Sequence, residues 1–227
     1  MTSGARNAVV AEDHVGYAEV RRNIRRLLAN TPGVGAEPVP ACPEWTVRDL
    51  VAHLVEIAER VLTRFGAEVP SAVPGEPGVG ELLDRWDLLG AEVDRRLAVA
   101  GGQRGEVLVM DAFTHELDLR FALGHGFPAE HVAWVPSFEV LVRGFSGAVV
   151  ERGLPAVRIT TPGGSTWLAG TGPVGAGVTA RPDVLYRGLA GRRTAAQLSA
   201  LNWDTDPARW LPAFTWGPFR PPISPVE

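Results

Sequence analysis

The stretch Met110–Gly124, MDAFTHELDLRFALG, decides how this chain is read. Asp111 and His115 are four residues apart, and Asp118 follows His115 by three. On a helix these positions lie one above another on a single face, so a carboxylate and an imidazole can grip one cation. The spacing predicts a helix from about Gly105 to Leu123, stopped by Gly124 and Gly126. Two side chains do not complete a metal site, so a third ligand has to come from elsewhere in the chain.

The run VPACPEWTVRDLVAHLVEIAER, residues 39–60, offers one. The prolines and glycines of TPGVGAEPVPACPEW break helix, and the Thr46 hydroxyl can then cap a new one, with Asp49 three residues on as its capping-box partner. That helix runs to about Arg64. His53 sits at the edge of the apolar arc of Leu50, Leu54, Ile57, Ala58 and Val61 and can point inward. If the two helices face each other, His53, Asp111 and His115 supply three N/O ligands and leave one position for water or substrate. Asp118 would then either accept a hydrogen bond from the second ring nitrogen of His115, contact Arg120, cap another element or face water. An Asp-x-x-x-His pair also arises by chance, and an inward histidine is more often a hydrogen-bonded core residue than a ligand. Spacing alone leaves both readings open.

Around these two helices the first half of the chain reads as a bundle. Tyr17, Val20, Ile24, Leu27 and Leu28 recur at helical spacing, with Arg21, Arg22, Arg25 and Arg26 expected on a solvated face. Gly66 to Gly80, carrying Pro70, Pro74 and Pro77, is long enough to cross a bundle, so the helices on either side of it can run parallel. Leu82, Trp86, Leu89, Val93 and Leu97 stripe the next helix, which Gly101-Gly102 ends. Four helices with one long crossover form the kind of bundle that builds metal sites between facing helices. A fifth helix is expected over Ala133 to Arg152.

Beyond Pro155 the chain changes character. Val157–Thr161, Thr166–Ala169 and Gly177–Ala180 are short, β-prone and separated by glycine-rich turns, which predicts a small sheet covered by helices near Pro182–Leu189 and Thr194–Leu201. The glycines between Gly163 and Gly177 fit no phosphate-binding pattern. The tail, with Trp203, Trp210, Phe214, Trp216 and Phe219 among prolines, is expected to pack as an irregular strap or to form a lid.

Composition narrows the chemistry. At 227 residues, with 45% hydrophobic and 21% charged residues and a mean hydropathy of +0.04, the chain can bury a core and is not disordered. No apolar run approaches the roughly 18 residues of a membrane span, and the first fourteen residues read as a short frayed leader and not as a secretion signal. A cytoplasmic protein is expected. The single cysteine, Cys42, excludes an internal disulfide framework and a cysteine-rich zinc cage. It is either a reactive thiol at the mouth of a site or a partly buried inert one. A net charge of -4 gives no broad basic footprint for nucleic acid. All 22 basic residues are arginine, which excludes a lysine Schiff base and a P-loop lysine. His14, His125 and His131 fall near termini or turns and are expected at the surface.

Three motifs taken together resemble a known family. VPACPEWTVRDLVAHLVEIAER, MDAFTHELDLRFALG and GLAGRRTAAQLSALNWDTD, in this order and spacing, are similar to the mycothiol-dependent maleylpyruvate isomerase family of the DinB-like superfamily. The resemblance covers nearly the whole chain. It implies an α+β protein, with an N-terminal DinB-like four-helix bundle over residues 1–152 and a small α/β domain with the Trp/Pro-rich tail over 153–227. It also implies a divalent metal on His53, Asp111 and His115, with zinc first among zinc, nickel, iron and manganese as ions this donor set suits. The isomerase has glutamate where this chain has Asp111, so the shorter side chain bears on metal affinity. Mycothiol or a similar thiol is the implied cosubstrate, a small electrophile its partner, and the protein a monomer or homodimer. A metal-bound thiol is deprotonated at neutral pH, which suits either S-transfer or cis-trans isomerisation through addition and expulsion of the thiolate. Arg192 and Arg193 are candidates for holding carboxylates of thiol or substrate, or for capping a helix or bracing the domain interface. Two other readings of such a chain are a non-enzymatic ligand-binding or interaction module on the same fold and a metal-assisted hydrolase.

Overall fold

The computed structural model describes residues 12–226 apart from 30, 32, 72–74 and 101–104. Most of the expected leader, Pro74 and the Gly101-Gly102 stop lie outside the described residues. Among those described, seven α-helices precede or flank four short strands, and the protein is α+β. No helix among them is long and apolar enough to cross a membrane. By spatial contact the chain divides into two compact units. One contains the described residues up to Pro38, Glu44–Leu119 and Pro128–Ser137; the other contains Val39–Pro43, Arg120–Phe127 and everything from Phe138 onward. This division follows contacts, and it assigns most of the fifth helix to the second unit, whereas the sequence suggested a boundary between residues 152 and 153.

The first unit is a helical bundle built from α1 (Asp13–Leu28), α2 (Val47–Arg64), α3 (Val79–Ala100) and α4 (Glu106–Ala122). Residue pairs give the directions. Arg48 meets Pro77, Glu59 meets Arg85 and Phe65 meets Arg96, so α2 and α3 run parallel, as the long crossover allows. Arg25 meets Asp84 while Arg21 reaches Asp94, so α1 runs antiparallel to α3. The crossover is tied down where Arg48 Nε donates to the Pro77 carbonyl at 2.9 Å and Arg85 Nη2 to the Pro70 carbonyl at 2.6 Å.

The core of this unit is continuous. Val20, Ile24, Leu50, Leu54, Trp86 and Val93 are all at most 1% exposed. Burial of side chains of this size is worth about 1.5–3 kcal/mol each and is the main force holding the helices together. Trp86 Nε1 donates to the Tyr17 hydroxyl at 2.9 Å inside the core, so neither polar tip is left unsatisfied.

Of the four arginines of α1, Arg22 and Arg26 are exposed as expected, whereas Arg21 and Arg25 correct the expectation of a solvated face. Arg21 is 8% exposed and pairs with Asp94 and Asp87, and Arg25 pairs with Asp87 and Asp84. Gly90 on α3 makes room for Arg21: a Cβ there would lie 2.4 Å from its Nε. These acidic partners lie roughly sixty to seventy residues downstream, beyond the reach of any pattern within α1.

The second unit carries the sheet, in the order β2-β1-β3-β4, from β1 (Ala156–Thr160), β2 (Thr166–Ala169), β3 (Val174–Thr179) and β4 (Asn202–Trp203). A hairpin pairs β1 with β2 antiparallel, whereas β1 and β3 are parallel, and β4 closes the sheet antiparallel to β3. β3 begins three residues earlier than expected, and β4 was not anticipated. Helices α6 (Pro182–Leu189) and α7 (Ala195–Ser199) lie where the sequence put them, and α7 starts with the Thr194–Gln197 capping box. Fifth-helix residues from α5 (Trp134–Glu151) join this core, with Phe138 edge-on to Trp167 and Phe145 against Phe214.

The aromatic tail packs as a strap of this second unit. Trp210 Nε1 donates to the Pro155 carbonyl at 3.0 Å and Trp216 Nε1 to the Leu189 carbonyl at 3.1 Å. Trp216 lies flush against α5 at Gly144, where a Cβ would come 2.0 Å from the ring.

Candidate metal centre

Helix α2 starts as its sequence dictates. The Thr46 hydroxyl accepts from the Asp49 backbone N–H at 3.3 Å, and the Asp49 carboxylate accepts from the Thr46 N–H at 2.9 Å. The Thr46 hydroxyl, donating to the Asp49 carboxylate at 2.7 Å, and then the Thr46 backbone N–H hold the Asp49 carboxyl below the usual aspartate range. The cap fixes the phase of α2, and its arc of Val47, Leu50, Val51, Leu54, Val55, Ala58 and Leu62 is buried. His53, at the edge of that arc, is half-buried.

Helix α4 is buried on nearly every face, with Leu108 to Leu119 buried except for Asp111, although Thr114, His115, Glu116 and Asp118 are polar. A helix buried all round uses its few polar side chains for specific contacts. His115 is 7% exposed, and its Nε2 lies 3.9 Å from Asp111 Oδ1. His53 reaches the same point from α2, its ring 5.1 Å from that of His115 and nearly perpendicular to it. One ligand atom from each of His53, Asp111 and His115 lies within 4.8 Å of the other two. The structure therefore brings together the three residues that the spacing singled out.

Two details bear on whether this donor set suits a cation. Asp111 Oδ2 is buried and has no hydrogen-bond partner among the described residues. Such an orphaned anionic oxygen is costly unless something positive meets it. Burial, followed by the neighbouring His115, pushes the His53 imidazole below its usual value, with Asp111 acting in the opposite sense. His53 is thus neutral at pH 7, the state in which an imidazole offers a lone pair to a metal. Two imidazoles and a carboxylate, with one carboxylate oxygen orphaned, fit a borderline divalent ion.

Asp118 lies on the far side of His115, with its carboxylate fully buried and Oδ2 3.2 Å from His115 Nδ1. The distance suits a hydrogen bond but the ring N–H is not aligned with the oxygen, so Nδ1 is unsatisfied as the imidazole stands. Of the openings left by the sequence, Asp118 takes the place beside the second ring nitrogen.

Sequence reasoning missed two aromatic or imidazole neighbours. Trp45, the residue before the cap of α2, lies with its ring 4.9 Å from that of His53 and 6.1 Å from that of His115. It is delivered there by Glu44, whose φ of 72° is the one positive value at a non-glycine among the described residues. No periodicity marks a residue outside the helix, so only its place directly before the cap could have drawn notice. His131, expected at the surface, has a fully buried side chain. Its Nδ1 accepts from the Ala133 N–H at 3.0 Å, so Nε2 carries the proton toward Glu116 Oε2, also 3.0 Å away, while its ring lies tilted against Phe113 with centroids 4.4 Å apart. His125 is exposed and His14 partly exposed, as expected.

In the second unit Arg192 donates from Nη1 to the Ala190 carbonyl at 2.8 Å and places Nη2 4.0 Å from Cys42 Sγ. Its guanidinium lies 6.0 Å over the Phe219 ring. Arg193 is half-buried.

No curated protein and no solved structure gives a significant match to the chain. A family match does cover residues 17–145, more than half of the sequence, and includes His53, Asp111 and His115. With that match over the helices that carry the site, the chain belongs to the mycothiol maleylpyruvate isomerase N-terminal domain family.

Proposed function

We propose that this protein is a metal-dependent enzyme that uses a low-molecular-weight thiol of the mycothiol type on a small electrophilic substrate. The observation that carries the reading is the convergence of His53, Asp111 and His115 around the orphaned Asp111 oxygen. These three residues hold a divalent ion, zinc first among the ions they suit, and leave a coordination position open. Bound there, the ion supplies a lowered thiol pKa and hence a thiolate at neutral pH.

The chain's own groups do the rest. Asp118, beside Nδ1 of His115, would accept a hydrogen bond from that ring N–H once the imidazole aligns with it, and would thereby keep the proton on Nδ1 and the lone pair on Nε2. The low basicity of His53 keeps its nitrogen available without competition from protons at neutral pH. Arg192 and Arg193 are proposed to bind carboxylates of thiol or substrate, a role that bidentate guanidinium geometry favours. Two outcomes are open to a thiolate so generated. It can add to an activated double bond and be expelled after rotation about the resulting single bond, or it can displace a leaving group and remain on the product. The family membership supports thiol chemistry in general and is compatible with either.

The test is metal analysis of protein purified without chelator, followed by turnover assays with and without added thiol. Near-stoichiometric divalent metal, lost in His53→Ala and His115→Ala together with thiol-dependent turnover, is expected. Less than about a tenth of an equivalent of any divalent ion, with none taken up on reconstitution, would sink the reading. Turnover that requires metal but not thiol would make the protein a hydrolase instead.

A further inference from the structure

Trp45 occupies an unusual place. Three rings, those of Trp45, His53 and His115, contact one another, with centroids 4.9, 5.1 and 6.1 Å apart. The indole is tilted at 46° to one imidazole and at 33° to the other, so one ring stands beside both. It is only partly buried, and its N–H makes no hydrogen bond to the described residues. What it offers is therefore the ring itself.

The backbone is arranged to keep it there. A bridge between Pro38 and Thr46, and the Val47 N–H donating to the Glu37 carbonyl at 2.8 Å, anchor the start of α2 to the chain before the loop. Glu44 turns the chain through the left-handed region immediately before Trp45, a conformation that costs a residue with a Cβ about 1 kcal/mol or more. A strained residue persists where its surroundings over-determine it, and here its effect is to aim the indole at the two imidazoles.

We propose that Trp45 is a positioning residue for the metal ligands: its indole ring packs beside His53 and His115 and fixes both ring orientations before an ion arrives. The proposal rests on the metal reading above. Metal-binding imidazoles are usually oriented by a hydrogen bond from the second ring nitrogen, and loss of such an orienting partner typically costs about 10–100-fold in metal affinity. The contact Asp118 offers to His115 is out of alignment, and packing by Trp45 supplies orientation to both rings at once. Because the ring and not the N–H acts, phenylalanine should substitute and alanine should not.

The experiment titrates metal-free wild type, Trp45→Phe and Trp45→Ala with cobalt(II) alone, following the cobalt ligand-field spectrum and tryptophan fluorescence, and records the thermal midpoint of each metal-free protein. Expected are cobalt affinity about tenfold weaker in Trp45→Ala and within about threefold of wild type in Trp45→Phe. Quenching of fluorescence by cobalt, present in wild type, should largely vanish in Trp45→Phe although the ligand-field spectrum still develops, since Trp45 is the indole in contact with both ligands. Equal affinity in all three proteins overturns the proposal while leaving the metal reading intact. So does quenching that survives in Trp45→Phe. If Trp45→Ala fails to fold, the Trp45→Phe spectra still decide. No cobalt binding by wild type removes the metal reading, and this inference with it.

Discussion

Lengthening Asp111 by one methylene should tighten metal binding, and the structure indicates by how much. Two ligands each ~2.1 Å from a tetrahedral zinc are ~3.4 Å apart. Asp111 Oδ1 and His115 Nε2 stand 3.9 Å apart, and all three ligand atoms fall within 4.8 Å of one another. Closure around an ion thus asks for ~0.5 Å between Asp111 and His115 and up to ~1.4 Å at the widest pair allowed. Helix α4 is packed on almost all sides, so little of this can come from moving its backbone. Asp111→Glu adds ~1.3 Å of reach to a side chain that is one-third exposed and has room to extend. Zinc affinity should rise about tenfold, or about 1.4 kcal/mol, while Asp111→Ala, which removes the anionic ligand, should lose at least about a hundredfold. Competition of the metal-free proteins against a chromophoric chelator at neutral pH measures both. Weaker binding in Asp111→Glu with an unchanged thermal midpoint would refute the argument that reach limits this site. Unchanged binding in Asp111→Ala would remove Asp111 from the ligand set.

Two further predictions concern the scaffold. Trp86→Phe removes the donor to the buried Tyr17 hydroxyl and leaves that oxygen unsatisfied, which should cost about 1–3 kcal/mol in urea unfolding in addition to the cost of the cavity left by the smaller ring. Thr46→Ala breaks the cap of α2 and should cost about 1 kcal/mol at neutral pH. Because the same cap depresses the Asp49 carboxyl in the folded state, its contribution is fully present above the ordinary aspartate value and is lost as pH falls through the lower folded value. The difference in thermal midpoint between wild type and Thr46→Ala should therefore shrink only in the acid range, and a difference that shrinks between pH 6 and 8 would assign the effect to another group.

Much of the fold was legible because its signals are local. The cap at Thr46 and the apolar periodicity of the helices gave their limits within a few residues. Short strands were harder: Gly175 and Gly177 lowered the β-propensity of β3, and the two residues of β4 become a strand only because Thr179 and Val178 lie beside them. Arg21 was misplaced for a related reason, since the carboxylates that bury it belong to another helix. His131 was misplaced because a turn position says nothing of a buried Glu116 waiting opposite.

By itself the sequence determined which residue types could serve a metal and that Asp111 and His115 share one face of α4, because a helix repeats every 3.6 residues whatever surrounds it. Only the tertiary structure decided that His53 meets them, that Asp118 stands beside the second nitrogen of His115, and that Trp45 lies beside both imidazoles. Those contacts join side chains up to seventy residues apart, and no pattern within one helix encodes which helix packs against it. Their geometry follows from the burial of apolar faces across the whole bundle, which sets the helices in register and so brings the polar groups between them together.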